Sequence, residues 1–284
     1  MTGIISQSDA ADGADAADGA DGAEVGDRAR LLRAIGRRIL TLAAVIGFIL
    51  TLWWAVLEIF DIETYFMPGP GSTLSTLVEE RAVLFSHART TLWETTAGVV
   101  VATLLAVALA AVFVTSAHLE RALLPLAITF RSIPIVAVAP LITLIAGRGF
   151  ATSIVCVTIV CFFPVLVNTT RGMRAPSAEM GELLRVAGAT RLQGFRYIRF
   201  PVMIPFLFAG LRSAAAVAVL GAMLAEWLTG QQGLGYLLIN AVALRDNELL
   251  WSVVIVSSAF SLAFFVTMQG IERALVAWST GVHR

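Results

Sequence analysis

Lysine is absent from all 284 residues, so the twenty basic side chains are arginines. That absence excludes a Walker lysine, a Schiff-base amine and a lysine general base, so any nucleotide-driven step must belong to another chain. Cysteine is scarce. Cys156 and Cys161 share one apolar run, ~140° apart on a helix, which suits neither a metal site nor a disulfide framework. Both are expected to be buried small hydrophobes. The three histidines, His87, His118 and His283, fall in separate segments, and no His, Asp or Cys constellation for catalysis or metal binding emerges. Charge is sparse as well, at 14% against 58% hydrophobic residues and a mean hydropathy of +0.83. A soluble enzyme is thereby excluded and an all-α polytopic membrane protein is expected.

What is present is a series of long apolar runs behind an acidic leader. Residues 1–27, with the run ADGADAADGADGAE, have almost nothing to bury and are expected to be a disordered tail. They lack the basic segment and apolar core of a signal peptide. The remainder, 28–284, forms the membrane domain, with spans expected at 39–60, 91–117, 122–146, 151–170, 202–227 and 249–271. Between the first two spans, Pro68, Gly69, Pro70 and Gly71 precede a stripe of Leu74, Leu77, Val78, Leu84 and Phe85, which predicts a short helix at the outer interface. The alanine-rich second span predicts close helix packing. The third carries Pro125, Pro134 and Pro140 together with Arg131, so a broken helix facing a cavity or other protein is expected. Arg131 has two roles open to it: contact with an anionic substrate, or satisfaction of the carbonyls that Pro134 frees. With Pro134, Arg212 and Glu226 it makes up the candidate translocation pathway. Gly230, Gly233 and Gly235 have no Lys-Ser/Thr after them, so a turn or re-entrant element is expected there, not a phosphate loop.

Arginine placement orients these spans. Fourteen arginines fall in segments expected inside, including 28–38 and 171–199, and four outside, Arg81, Arg89, Arg148 and Arg245. Arg131 and Arg212 lie within spans and complete the twenty. Six spans with cytoplasmic N- and C-termini follow from the positive-inside rule.

That orientation puts the one long polar interruption, Arg171 to Pro205, in the cytoplasm. Met180, Leu183, Leu184 and Ala187 recur at helical spacing, while Glu179, Glu182 and Arg185 take the other side. Pro176 and Ser177 suit the helix start and Gly188 its left-handed stop. Thr190 and Gln193 have the spacing of a capping box that opens a second short helix before Phe200-Pro201.

The spacing Glu182, Gly188, Pro201 resembles the "EAA" loop of permease subunits in ATP-binding cassette (ABC) importers. The likeness runs from about Phe66 to Thr280, through PGPGSTLSTL, RSIPIVAVAPL and AEWLTGQQGLGYLLINA. It resembles most the nitrate, sulfonate and taurine group, which also includes transporters of pyrimidine and vitamin precursors. The resemblance implies a type I importer permease fold in a bacterial cell membrane. It implies a dimer, either of this chain or with a related permease, with two ATPase subunits inside and a substrate-binding protein outside. ATP and Mg would be used by the ATPase, with no catalytic site, cofactor or metal on this chain. Glu179, Glu182, Leu183, Leu184, Arg185, Gly188 and Pro201 would carry the coupling within a 171–200 loop. The substrate implied is a small organic anion such as a sulfonate or nitrate, or a pyrimidine or vitamin precursor. Three departures from the family pattern stand out: Leu183-Leu184 in place of a small pair, Glu94 where an arginine is common, and alanines in place of several glycines in the second span. An ion-coupled carrier or channel is the alternative, and Glu94 and Glu226 are the acidic residues near spans that it would need.

Overall fold

The computed structural model describes residues 36–37, 40–41, 43–63, 65–132 and 134–280. The acidic tail and Arg28, Arg30, Arg33 and Arg38 lie outside the described residues, as do residues 281–284. Among the described residues the secondary structure is helical, without strands.

Residues 1–64 form one unit, whose described part is dominated by α1, Ala43–Ile59. Its 17 residues are apolar but for Thr51 and Glu58 and span ~26 Å, close to the ~30 Å hydrocarbon core of a bilayer. Asp61, at φ +46°, ends this turn of chain, with the Ile62 amide donating to the Leu57 carbonyl at 3.1 Å. This is the bond pattern of a left-handed helix stop.

The second unit, Tyr65–Arg284, holds α2 through α11. Helix α2, Pro70–Glu79, opens with proline at its first turn, where a missing amide costs nothing, and α3, Arg81–Thr115, follows after one residue. α3 thus starts ten residues before the span expected from 91 to 117, carrying the polar turns of 81–90 with it. The expected stripe does not act as one face: Leu84 is buried and Leu77 half-buried, while Leu74, Val78 and Phe85 are exposed. The buried face of α2 is instead Thr73 and Thr76. Small hydroxyl side chains let α2 approach α11, Asn247–Thr280, where Thr76 Oγ1 donates to Glu248 Oε2 at 3.1 Å and Ser252 Oγ donates to the Thr73 carbonyl at 3.2 Å.

The expected third span is two helices, α4 (Ala117–Ser132) and α5 (Ile135–Ala146). Pro134 stands between them in extended conformation, φ −62° and ψ 114°, because its ring removes the helical amide and biases the residue before it away from the helix. At ~24 Å and ~18 Å neither helix matches the bilayer core alone. Gly147 and Gly149, at φ +82° and +93°, form the turn to α6, Phe150–Arg174. After the loop helices α7 (Ala178–Val186) and α8 (Arg191–Gly194), α9 covers Phe200–Thr229 and α10 Leu234–Leu244. Four helices among the described residues are long and apolar enough to cross a membrane: α3, α6, Leu192–Thr229 and Asn247–Leu275.

Small residues bring α3, α6 and α9 together. Ala102, Ala106 and Ala110 make one fully buried stripe on α3, and Ala214, Ala218 and Ala222 one on α9. A Cβ on Gly98 would lie 2.4 Å from Val157 Cβ, and one on Gly172 2.7 Å from Phe206 Cβ. Both positions require glycine for packing, the device that lets membrane helices approach where burial of hydrophobic area supplies no drive. Cys156 and Cys161 are buried within this packing. Outward-facing Leu104, Leu105, Leu220 and Leu262 stay exposed, as side chains facing lipid do.

Candidate functional site

The loop between α6 and α9 is a folded unit with a cap at every joint. Ser177 Oγ accepts from the Met180 amide at 3.4 Å at the start of α7. At the other end Gly188 sits at φ +66°, and the Ala189 amide donates to the Leu184 carbonyl at 2.9 Å. This is the Schellman geometry that only glycine, and less readily asparagine, adopts without strain. The capping box is formed in both directions: the Thr190 amide donates to Gln193 Oε1 at 2.7 Å and the Gln193 amide to Thr190 Oγ1 at 3.3 Å. From there α8 passes into a five-residue π-turn, Phe195–Arg199, and directly into α9.

The apolar stripe of α7 is divided. Leu184 is half-buried and turns back toward Gly194, into a groove of about 480 Å³ that Phe195, Ile198 and the end of α3 at Val114 and Thr115 also line. Met180, Leu183 and Val186 point away and are 45%, 69% and 89% exposed. Glu179 and Glu182 are exposed beside them, whereas the Arg185 side chain lies outside the described residues. Pro201 is in the first turn of α9. The structure therefore brings Glu182 and Leu183 onto one small helix that Gly188 ends, and assigns Leu184 to holding that helix in place. An ion pair between Arg174 at the end of α6 and Glu120 in α4 braces the entry to the loop.

The four pathway candidates are not brought together. Arg131 is in the last turn of α4, with its side chain outside the described residues, and Pro134 is at the α4–α5 break. Arg212, in α9, is engaged by Glu272 of α11 at 2.9 Å. Glu226 is fully buried near the far end of α9. Thr91 Oγ1 donates to its Oε1 and the Gly235 amide to its Oε2, each at 2.7 Å. The turn after α9 wraps this carboxyl. A Cβ on Gly233, at φ +108°, would lie 2.1 Å from the Glu226 carboxyl carbon, and one on Gly235 2.1 Å from the Met223 carbonyl oxygen. The glycines of TGQQGLG are thus required by close approach to Glu226, and α10 begins directly from the turn. Thr91 also accepts from the Leu234 amide at 2.9 Å, and His87 Nδ1 lies 3.0 Å from both the amide and the carbonyl of Gly233. Thr91, His87, Glu272 and Glu120 carry no sequence signal of their own. Each depends on a partner more than 50 positions away, and only the Glu226-to-glycine proximity was readable locally.

Residues 98–277 match the family described as binding-protein-dependent transport system inner membrane component. The chain belongs to this family. The permease is 36% identical over 160 residues to the riboflavin transport system permease protein of Chloroflexus aurantiacus, covering 56% of this chain and 60% of that one. It is 28% identical over 242 residues to a probable ABC transporter permease protein of Haemophilus influenzae, 85% and 98% of the two chains. The formylaminopyrimidine transport permease protein of Halalkalibacterium halodurans is 27% identical over 217 residues, 76% and 87%. In fold, the permease is similar to a chain in inward-facing structures of the MetNI methionine ABC transporter, with TM-score 0.57, 19% identity, and coverage of 71% of this chain and 97% of that one. The chain is therefore the membrane-embedded, multi-pass permease subunit of an ABC importer, as its resemblance implied. The carrier or channel alternative is set aside.

Proposed function

We propose that α7 is the element through which this permease receives an ABC ATPase on the cytoplasmic side, ATP and Mg being used by that partner and no catalytic step by this chain. The observation that carries this is the unpartnered face of Met180, Leu183 and Val186 on a helix fixed at both ends. An exposed apolar patch on a capped, preorganised helix suits docking into a groove, because little ordering entropy remains to be lost. Glu182, on the same helix, supplies a polar contact beside the patch. The assembly would contain two permease copies, of this chain or of this chain with a related one, with a substrate-binding protein outside. Six spans, in a bacterial cell membrane, would include the α4–α5 pair as one broken crossing.

For the substrate, a neutral or weakly charged heteroaromatic, in the class of pyrimidine and vitamin precursors, fits better than a sulfonate or nitrate. Arg212, one of the two cations within the spans, is paired with Glu272 at 2.9 Å, which weakens its pull on an anion. The riboflavin and formylaminopyrimidine relatives support the same class. Proteoliposomes holding the permease with its ATPase and binding protein test both parts. Uptake of a pyrimidine precursor or a flavin is expected where taurine and nitrate give none, and Glu182→Lys should abolish uptake while the protein still inserts. Uptake of taurine alone would reverse the substrate assignment, and full uptake by Glu182→Lys would reverse the docking assignment.

A further inference from the structure

Behind the outward face of α7 the chain leaves a space of its own. The groove of about 480 Å³ into which Leu184 turns adjoins a second cavity of about 260 Å³, and Val114, Pro176 and Arg199 border both. Thr115 is the last residue of α3, Arg174 the last of α6 and Arg199 the residue before α9, so both cavities lie where three long apolar helices end on one side of the bundle. Their walls differ in chemistry. The larger has an apolar side made by Val114, Leu184, Phe195 and Ile198. Its hydroxyls are already engaged: Thr115 Oγ1 donates to the Val112 carbonyl at 2.8 Å, Ser177 Oγ caps α7, and Thr190 Oγ1 belongs to the capping box. The smaller is basic, with Arg174 and Arg199 on its wall, and among the described residues no acid lines either cavity. Arg174 is shared with Glu120, whereas among the described residues no carboxylate pairs with the half-buried Arg199. Tyr197, two residues before it, is exposed, as tyrosines at the headgroup level of a membrane are.

We propose that this paired cavity binds an anionic phospholipid, its phosphate held by Arg199 and Arg174 and the head end of one acyl chain packed against Val114, Phe195 and Ile198. The charges are complementary, since a half-buried guanidinium without a carboxylate is stabilised by an anion that accepts its hydrogen bonds. The apolar wall beside it selects the source of that anion. A free phosphate ion gains nothing from Phe195 and Ile198, and water, which needs several polar partners, finds few along them. Basic pockets between helices on the cytoplasmic side of a membrane suit anionic headgroups for the same reason. This assignment rests on the cytoplasmic placement of α7 proposed above. Leu184 forms part of the wall, so a bound lipid packs the inner side of α7 while Met180, Leu183 and Val186 stay free for the ATPase. The lipid thereby steadies the helix that docks.

The test is native mass spectrometry of the full-length permease in complex with its ATPase, released from nanodiscs of phosphatidylcholine and phosphatidylglycerol with matched acyl chains. Wild-type permease is expected to retain phosphatidylglycerol in preference to phosphatidylcholine, as a single molecule for each permease copy. Arg199→Gln should lower that retention about fivefold, the scale of a single arginine's attraction to an anionic lipid surface. Arg199→Lys should keep most of it, and Arg148→Gln, in the turn between α5 and α6, should leave it unchanged. A phosphatidylglycerol with a photoreactive group near the head of one chain should label the wild-type protein at Val114, Phe195 or Ile198, and this labelling decides alone should Arg199→Gln fold poorly. Equal retention of the two lipids, unchanged retention in Arg199→Gln, labelling confined to other segments, or displacement of the lipid by inorganic phosphate overturns the proposal. Glu182→Lys should lose uptake yet keep its phosphatidylglycerol, so failure of the lipid site and failure of the docking reading appear in different measurements.

Discussion

At the scale of single residues, the loop divides into side chains that present a surface and side chains that hold it up. Leu183 belongs to the first kind and Leu184 to the second, although they are adjacent and chemically identical. Leu183→Ala should weaken ATPase association by about tenfold or more, roughly 1.4 kcal/mol or above if it is a central contact, and leave the thermal stability of the permease unchanged. Leu184→Ala should lower that stability and affect association only secondarily. Paired titration and unfolding experiments separate the two. Gly188 has open space where a Cβ would go, so the cost of substitution is its φ of +66° alone. Gly188→Val is expected to cost about 1–2 kcal/mol or more of local helix-stop stability and to impair coupling, whereas Gly188→Asn should retain most of it. The caps at Ser177, Gly188 and Thr190-Gln193 were legible in the sequence because each is a local pattern, within four residues, with one favoured geometry. The partition of the two leucines was not, because it depends on where α8 folds back against α7.

At the scale of elements, the contacts that matter are glycine-thin interfaces and isolated ion pairs between helices. Gly98→Leu would drive a side chain into Val157, which lies 2.4 Å from the nearest Cβ position, and should destabilise α3 against α6 by about 1–3 kcal/mol or more. A drop in unfolding midpoint in detergent checks this. Arg212→Leu leaves Glu272 without its cation, so it should be more damaging to abundance than the double change Arg212→Leu with Glu272→Leu, which removes both charges. Equal losses from single and double variants would mean that the pair does not couple α9 to α11. The alanine-rich second span, the break at Pro134 and the turn at the TGQQGLG glycines were all visible as composition or spacing. The inner face of α2 was not. Its apolar residues form a respectable helical stripe, yet the helix buries Thr73 and Thr76, because hydroxyls find partners on α11 that a periodicity cannot display.

For the whole molecule, arginine placement and helix lengths together give the orientation to be tested. Because Cys156 and Cys161 are both buried, they should be silent toward a membrane-impermeant maleimide, and single introduced cysteines can be read against a clean background. Arg148→Cys, in the turn between α5 and α6, should label on intact cells, and Val186→Cys only after permeabilisation. The reverse pattern would invert the topology. From Leu192 to Thr229 the chain is one uninterrupted helical rod of 38 residues, ~57 Å long, with the loop at one end and the Glu226 cradle at the other. Its stiffness is uneven. The π-turn at Phe195–Arg199 widens the backbone ladder, and Pro201 and Pro205 each omit an amide from it, so the compliant part is confined to about three turns at the loop end. Beyond Pro205 the rod works as a lever arm of ~36 Å, on which a swing of about 5° at that joint would displace the cradle by about 3 Å.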